Sequence, residues 1–257
     1  MVSLKTLYTC CALLVLSACG DDDGDDAVAD SGLDASRPDG GGPDAGGGLD
    51  AGRDGGGGLD SGISPRFTFF VTSDNSPTAN LGGLSAADQR CQRLATAVGA
   101  GNKTWRAYLS VERDPANGNQ PTAAGSRIGA GPWYNVAGQL VASDITSLHA
   151  RTGDAELFLT EQGQKVNGQW RGSPTPNQHD ILTGTEIDGG VARGFTCGDW
   201  TLSDAGIAAR VGHSDGLGPD ASSAGRLSSW FSSHESGGCN DTTPRGGSGK
   251  IYCFALP

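Results

Sequence analysis

Residues 81–99 read LGGLSAADQRCQRLATAVG, and this stretch decides the fold. Ser85 followed three positions later by Asp88 is typical of a helix start, and apolar side chains then recur at helical spacing. Gly99 predicts the end of the helix. Cys91 falls on the apolar face, so a disulfide from it would fix the helix to another part of the core.

The segments on either side of this helix predict short strands and long loops. Phe67–Val71 and Trp105–Leu109 are rich in aromatic and β-branched residues, and the clearest later strands are Glu156–Thr160 and Gly249–Ala255. Gly, Pro and Asn punctuate much of the chain between them. One early helix among scattered short strands predicts an α+β domain rather than a repeat or a βαβ series.

The beginning of the chain is typical of an export signal. Lys5 precedes an apolar run from Leu7 to Leu16, which is shorter than the roughly 20 residues that a membrane-spanning helix needs. The run ends in Leu-Ser-Ala-Cys, which resembles the lipobox of bacterial lipoproteins. The sequence therefore predicts a signal peptide over residues 1–18 and lipidation of Cys19. The alternative is an ordinary secretory signal that happens to contain a cysteine.

Residues 19–65 predict a disordered tether. They consist mainly of Asp, Gly and Ala and contain no aromatic residue, so they cannot bury enough surface to offset chain entropy. Residues 1–65 hold twelve acidic and three basic residues, whereas residues 66–257 hold 17 acidic and 15 basic ones. This balance excludes general attraction to nucleic acid or to an anionic membrane as the main role. We expect membrane contact only through the N-terminal lipid.

The folded domain, residues 66–257, contains an even set of cysteines. An exported chain is expected to pair them, and four cysteines allow three connectivities. Metal ligation is the competing interpretation, but no two of them have the C-x-x-C spacing of common zinc sites. The four are Cys91, Cys197, Cys239 and Cys253.

The order of these motifs resembles endostatin, the C-terminal domain of collagens XV and XVIII. The resemblance rests on residues 81–91, on Trp105–Ser110, on Thr196–Thr201 with its Cys-Gly-Asp-Trp, and on Lys250–Cys253. It is closest to bacterial endostatin-like lipoproteins of an uncharacterised domain family, and it covers about residues 67–256.

The resemblance implies a C-type-lectin-like fold with one main helix, short antiparallel strands, long loops and two disulfides. Carried over by position, it implies the pairs Cys91–Cys253 and Cys197–Cys239. The endostatin zinc site uses histidines at the start of the domain, and no histidine here precedes His149. The calcium-binding Glu-Pro-Asn and Gln-Pro-Asp motifs of sugar-binding lectins are also missing from the sequence. We therefore assign no metal and no cofactor.

Two groups of residues are candidates for ligand binding. Trp133 and Tyr134 are adjacent aromatics in a turn, which would suit carbohydrate stacking or a protein contact if exposed, or the core if buried. His213 with Asp215, and His234 beside a glutamate, place imidazoles near carboxylates. That pairing suits a metal site or a proton relay, but it also serves to fix irregular loops.

These features predict a lipoprotein of the bacterial cell envelope, anchored in the outer membrane and exposed at the surface. Its lectin-like domain would be an adhesive binding module for an extracellular protein or glycan, and not an enzyme. An alternative is a cell-envelope enzyme that uses the region of His213, Asp215 and His234. A further alternative is a structural envelope protein.

Overall fold

The computed structural model describes residues 62–257. The predicted signal peptide, the lipidation site Cys19 and most of the predicted tether lie outside the described residues. The strands are β1 Phe69–Val71, β2 Trp105–Ala107, β3 Val111–Asp114, β4 Gln120–Thr122, β5 Trp133–Tyr134, β6 Leu140–Ala142, β7 Asp180–Leu182, β8 Arg210–His213, β9 His234–Glu235 and β10 Gly247–Ala255. The helices are α1 Gly83–Ala97, α2 Ile145–Ala150 and the short turn α3 Cys197–Trp200.

Strand β10 is the centre of the main sheet, whose order is β1-β10-β7-β8-β9. It runs parallel to β7 and antiparallel to β1 and β2. Because β1 and β2 both pair with Cys253 and Phe254, they lie on opposite edges of β10. The hairpins β3-β4 and β5-β6 form two further small sheets. The mixed α+β architecture with one main helix is therefore confirmed.

The sheet divides the core into two apolar layers. Successive side chains of a strand point to opposite faces. On β10, Ile251 and Cys253 belong to the layer that contains α1, whereas Tyr252 and Phe254 belong to an aromatic layer with Trp230. All nine residues of β10 are buried. The sheet therefore stabilises the domain through both of its faces.

Helix α1 confirms the predicted segment but not its predicted start. The helix begins at Gly83, Gly82 precedes it with a left-handed φ of 77°, and no side chain caps it. Ser85 lies inside the first turn, and the nearby Asp88 carboxylate faces β2 instead. Asp88 accepts hydrogen bonds from the Ala107 amide at 2.9 Å and from Arg127 Nη2 at 2.7 Å. Asp88 therefore takes part in a tertiary ion pair and not in a helix cap.

The predicted strand at Glu156–Thr160 is wrong. Asp154 folds this segment into a turn, because its backbone carbonyl accepts from the amides of Leu157 and Phe158 while its carboxylate accepts from the Glu156 amide. Only isolated bridges at Leu159 and Thr160 remain. The aromatic and aliphatic pattern that suggested a strand instead places Phe158 in the aromatic layer.

Both disulfides implied by the resemblance are present. Cys91–Cys253 joins α1 to β10 with a Cα–Cα distance of 5.5 Å, and Cys197–Cys239 joins α3 to the loop after β9 with a distance of 5.8 Å. Both distances lie within the usual range for disulfides. The first helix and the central strand are thus linked covalently.

The residues just before Arg66 pack on the domain. Ile63 contacts the layer that contains α1, and the Ser64 amide donates to the Val136 carbonyl at 2.9 Å. Within residues 62–257, no helix combines the length and the apolar character that crossing a lipid bilayer requires.

Candidate functional site

Three neighbouring strands bring histidines and carboxylates together at one end of the main sheet. Asp180 is the first residue of β7 and pairs with His213, the last residue of β8. His234 is the first residue of β9 and pairs with Val211 of β8. The antiparallel order therefore gathers side chains that are far apart in sequence. We call His179, Asp180, His213 and His234 the histidine cluster.

One carboxylate oxygen lies at the centre of the histidine cluster. Asp180 Oδ1 is 3.4 Å from His179 Nε2, 3.3 Å from His213 Nε2 and 3.6 Å from His234 Nε2. His213 Nε2 and His234 Nε2 are 2.9 Å apart. The rings of His179 and His213 stack with centroids 4.2 Å apart. The donor atoms of His179, Asp180 and His213 thus all lie within 4.8 Å of one another, and His234 Nε2 lies beside them.

Two of the three imidazoles are oriented through their other ring nitrogen. His179 Nδ1 lies 2.8 Å from Asp215 Oδ1, and His234 Nδ1 lies 2.8 Å from the Glu235 carbonyl oxygen. Because a carboxylate and a carbonyl only accept, each of these Nδ1 atoms carries a proton. In the neutral form of each ring, the Nε2 atom then carries a lone pair on the side that faces Asp180 and can bind a metal ion.

Asp215 is held as an ionised acceptor behind the histidine cluster. It accepts from His179, from the Gln169 amide at 2.7 Å and from the Leu217 amide at 3.1 Å. Burial opposes ionisation of Asp215, but the hydrogen bonds from His179, Gln169 and Leu217 outweigh burial, so its pKa is lowered from its ordinary value. Gly168 allows this close approach, since a Cβ there would lie 2.2 Å from Asp215 Oδ2.

The histidine cluster contains polar atoms without a hydrogen bond. Asp180 is only 1% exposed, and neither of its carboxylate oxygens has a hydrogen-bond partner among residues 62–257. His213 Nδ1 is also buried without a partner. Leaving such groups unpaired costs free energy, so unpaired buried polar groups in a native fold point to a missing partner.

A second candidate site is a surface recess of about 610 Å³ between α1, β2, β3 and α3. Its floor is Asp88, which accepts from Arg106 Nη1 at 2.8 Å and from Arg127 Nη2 at 2.7 Å. Asp199 also lines it and accepts from the Glu112 amide at 2.6 Å. Arg113 lines it as well, is exposed, and forms no ion pair within residues 62–257. We call this cavity the arginine recess.

Helix α3 forms one wall of the arginine recess, and its backbone dihedral angles are unusual. Cys197, Asp199 and Trp200 have φ values of 48°, 56° and 67°, which place three residues other than glycine in the left-handed region. Such conformations persist only where the surrounding structure fixes them, and they are common at ligand sites. Here the disulfide from Cys197 and the bond from Trp200 Nε1 to the Ser110 carbonyl, at 2.9 Å, fix the turn.

The predicted aromatic pair does not form an open stacking platform. Trp133 is buried and packs edge to face on Phe254, with centroids 5.5 Å apart. Tyr134 is partly exposed, and the Arg66 guanidinium covers its ring at 4.7 Å. Trp133 therefore serves the aromatic layer of the core.

The other predicted site residues meet in one place. His213, Asp215 and His234 lie together, joined by His179 and Asp180, which the sequence analysis missed. The adjacent His179-Asp180 pair carries the same imidazole-carboxylate signal as His234-Glu235 and could have been found by it. No protein-family model matches the chain, and no curated protein matches it.

Proposed function

We propose that residues 66–257 form a lectin-like binding module that recognises an extracellular protein or glycan through the arginine recess. In this proposal the lipid on Cys19 anchors the protein to the outer membrane, and the acidic tether presents the module at the cell surface. The proposal rests mainly on Arg113, which lines the recess, is exposed and forms no ion pair within residues 62–257, whereas Arg106 and Arg127 are both paired with Asp88.

The charge arrangement of the arginine recess favours ligand contact by Arg113. Asp114 and Asp199 also line it, but their carboxylates already accept from the backbone amides of Ala116 and Glu112. Arg113 is left without a protein partner among the described ion pairs, so its donors are available to a carboxylate, a hydroxyl or a carbonyl. Arginine is also among the residues enriched at the energetic centres of interfaces.

The rigidity of the framework supports the same proposal. Loop residues that a scaffold holds in place lose little conformational entropy when they bind a ligand. Around the arginine recess, Asp88 ties α1 to β2, and the Cys197–Cys239 disulfide fixes the α3 wall. A ligand would therefore meet a site that is already formed.

Binding by the purified full chain to panels of glycans and extracellular matrix proteins tests this function. We expect saturable binding to at least one class, and we expect Arg113→Ser to weaken it by about tenfold, the effect of losing one interface anchor. Arg171→Ser is the matched control, because Arg171 is also exposed but does not line the recess. Lack of binding across the panels, or an equal loss in both variants, would contradict the proposal.

A further inference from the structure

We propose that the histidine cluster binds one Zn²⁺ ion through Nε2 of His179, His213 and His234 and through Asp180 Oδ1. The ion would be structural, and it would join the loop before β7 to β8 and to the edge strand β9. This inference goes beyond the proposed binding module and does not depend on the arginine recess.

The spacing of the donor atoms around Asp180 Oδ1 suits a shared zinc ion, and the donor atoms of His179, Asp180 and His213 all lie within 4.8 Å of one another. Zinc binds imidazole nitrogen and carboxylate oxygen at about 2.0–2.1 Å, so neighbouring ligand atoms of a regular tetrahedron lie about 3.3 Å apart. Asp180 Oδ1 lies 3.4, 3.3 and 3.6 Å from the three Nε2 atoms. These distances are too long for good hydrogen bonds but suit atoms that share an ion.

The second ring nitrogens supply the outer contacts of a zinc site. Histidines that bind zinc usually donate their other N–H to a carboxylate or a backbone carbonyl, which fixes the ring and its tautomer. His179 has Asp215 in this role, and His234 has the Glu235 carbonyl. Two of the three imidazoles thus present Nε2 lone pairs toward Asp180.

Hydrogen bonds between the histidines, without a metal ion, do not account for the burial of the Asp180 carboxylate. One proton between His213 Nε2 and His234 Nε2, which are 2.9 Å apart, satisfies those two atoms. Within the described part of the chain, both oxygens of the buried Asp180 still have no hydrogen-bond partner. A cation in contact with Oδ1 provides the missing compensation for burying this carboxylate.

The donor set favours zinc and a structural role. Three imidazoles and one carboxylate form a donor set that is typical of Zn²⁺ rather than of Ca²⁺ or Mg²⁺, which prefer six or more oxygen ligands. Four protein ligands complete the coordination shell, whereas catalytic zinc keeps one position for water. The His234 side chain is 25% exposed, and the other three ligands are almost completely buried, so the ion would enter beside β9.

The consequence for the fold is greatest at β9. This strand has only two residues and pairs with β8 through Arg210–Glu235 and Val211–His234. A bond from His234 to an ion shared with β7 and β8 would hold the edge strand in register. Zinc should therefore stabilise the edge of the sheet more than its centre.

Metal analysis of the full chain tests the proposal directly. After removal of metal with a chelator, we expect the protein to take up one equivalent of Zn²⁺ and to unfold at a higher temperature with zinc than without it. We expect Co²⁺ in place of zinc to give the intense visible absorption of a four-coordinate site. Failure to retain an ion, or the weak spectrum of six-coordinate Co²⁺, would overturn the proposal.

Variants separate this site from weak binding by the acidic N-terminal residues. We expect Asp180→Asn and His234→Ala to lose the bound equivalent, and Asp215→Asn to weaken zinc affinity by about 10- to 100-fold while keeping the four-coordinate Co²⁺ spectrum. His149→Gln is the control, because His149 contacts Tyr108 outside the cluster. Because His234 is partly exposed, its replacement tests the site even if Asp180→Asn does not fold. Retention of the equivalent by the folded His234→Ala variant would overturn the proposal.

Discussion

Lys250 is a buried charge at the centre of the sheet. Its side chain lies on β10 at 3% exposure, and its ammonium donates to the carbonyls of Thr72, Ser73 and Asp74 at 3.1, 2.7 and 3.4 Å. Burial is the main cause that lowers the pKa of Lys250 to about 8, with a smaller contribution from the charge of Arg90. The nearby carboxylates of Asp74 and Glu161 act in the opposite direction.

This pKa predicts that the protein becomes more stable as the solution becomes moderately alkaline. Between about pH 8 and about pH 10 the unfolded chain keeps the Lys250 proton while the folded protein loses it, so the free energy of unfolding rises by at most ~1.4 kcal/mol per pH unit. Nearer pH 10 the buried phenols of Tyr108 and Tyr252, whose pKa values are raised by burial, begin to act in the opposite direction.

Urea unfolding across this pH range measures the effect. We expect Lys250→Met to remove the rise in stability, because methionine keeps much of the side-chain volume and has no proton to release. Lys165→Met serves as the control, since Lys165 is exposed and pairs with Glu156 at the surface. A wild-type stability that stays flat from about pH 8 to about pH 10 would contradict the lowered pKa of Lys250.

The candidate site shows how far sequence reasoning reaches at the scale of single residues. His213, Asp215 and His234 could be identified because each imidazole stands near a carboxylate in the chain. Their convergence on Asp180 depends on the pairing of β7 with β8, which joins residues 33 positions apart in the register Asp180↔His213. A three-residue strand carries too little pattern to predict that register.

Among the elements, α1 and β10 are joined by the disulfide that spans the longer stretch of chain. Cys91–Cys253 closes a separation of 162 residues, whereas Cys197–Cys239 closes one of 42. In the chain-entropy model the longer loop contributes about 5 kcal/mol and the shorter one about 4 kcal/mol, both upper estimates. The disulfide that fixes the helix should therefore contribute more to the stability of the fold.

Replacing both cysteines of each disulfide tests which of the two contributes more to the stability of the fold. We expect Cys91→Ala with Cys253→Ala to lower the free energy of unfolding by roughly 2–5 kcal/mol, and to lower it more than Cys197→Ala with Cys239→Ala. Denaturant unfolding of both double variants beside the wild type measures the difference. A larger loss from the second pair would mean that the α3 turn, rather than the helix, limits the stability of the domain.

The elements that could be predicted from the sequence are those in which a regular apolar pattern extends over enough residues. The helix α1 and the strands β1, β2 and β10 were identified from apolar periodicity and β-branched or aromatic content. The Glu156–Thr160 prediction failed because the Asp154 side chain and carbonyl organise a turn. The strands β7, β8 and β9 were not identified, since their two to four residues include Asp, Arg, Gly, His and Glu rather than a regular apolar alternation.

At the scale of the whole molecule, the two apolar layers share one sheet. Leu94 of α1 lies in one layer and Ile181 of β7 in the other, and β10 contributes side chains to both. A substitution that loosens the packing of one layer therefore also loosens β10, which packs in the other layer. The described domain should behave as one cooperative unit.

We predict a single unfolding transition for variants of either layer. Leu94→Ala and Ile181→Ala should each lower the free energy of unfolding by about 2–4 kcal/mol, because each removes buried methyl groups from a packed core. Thermal unfolding followed by far-UV and near-UV circular dichroism should give coincident curves for both variants. Two separate transitions in either variant would show that the layers unfold independently.

The position of β10 also affects the timing of folding during biosynthesis. This strand follows every other described element in chain order, yet it is the one to which β1, β2 and β7 all bind. A nascent chain cannot assemble the main sheet until residues 247–255 have left the ribosome. The main sheet is therefore completed only when synthesis of the described domain is nearly finished, whereas the hairpins β3-β4 and β5-β6 do not depend on β10.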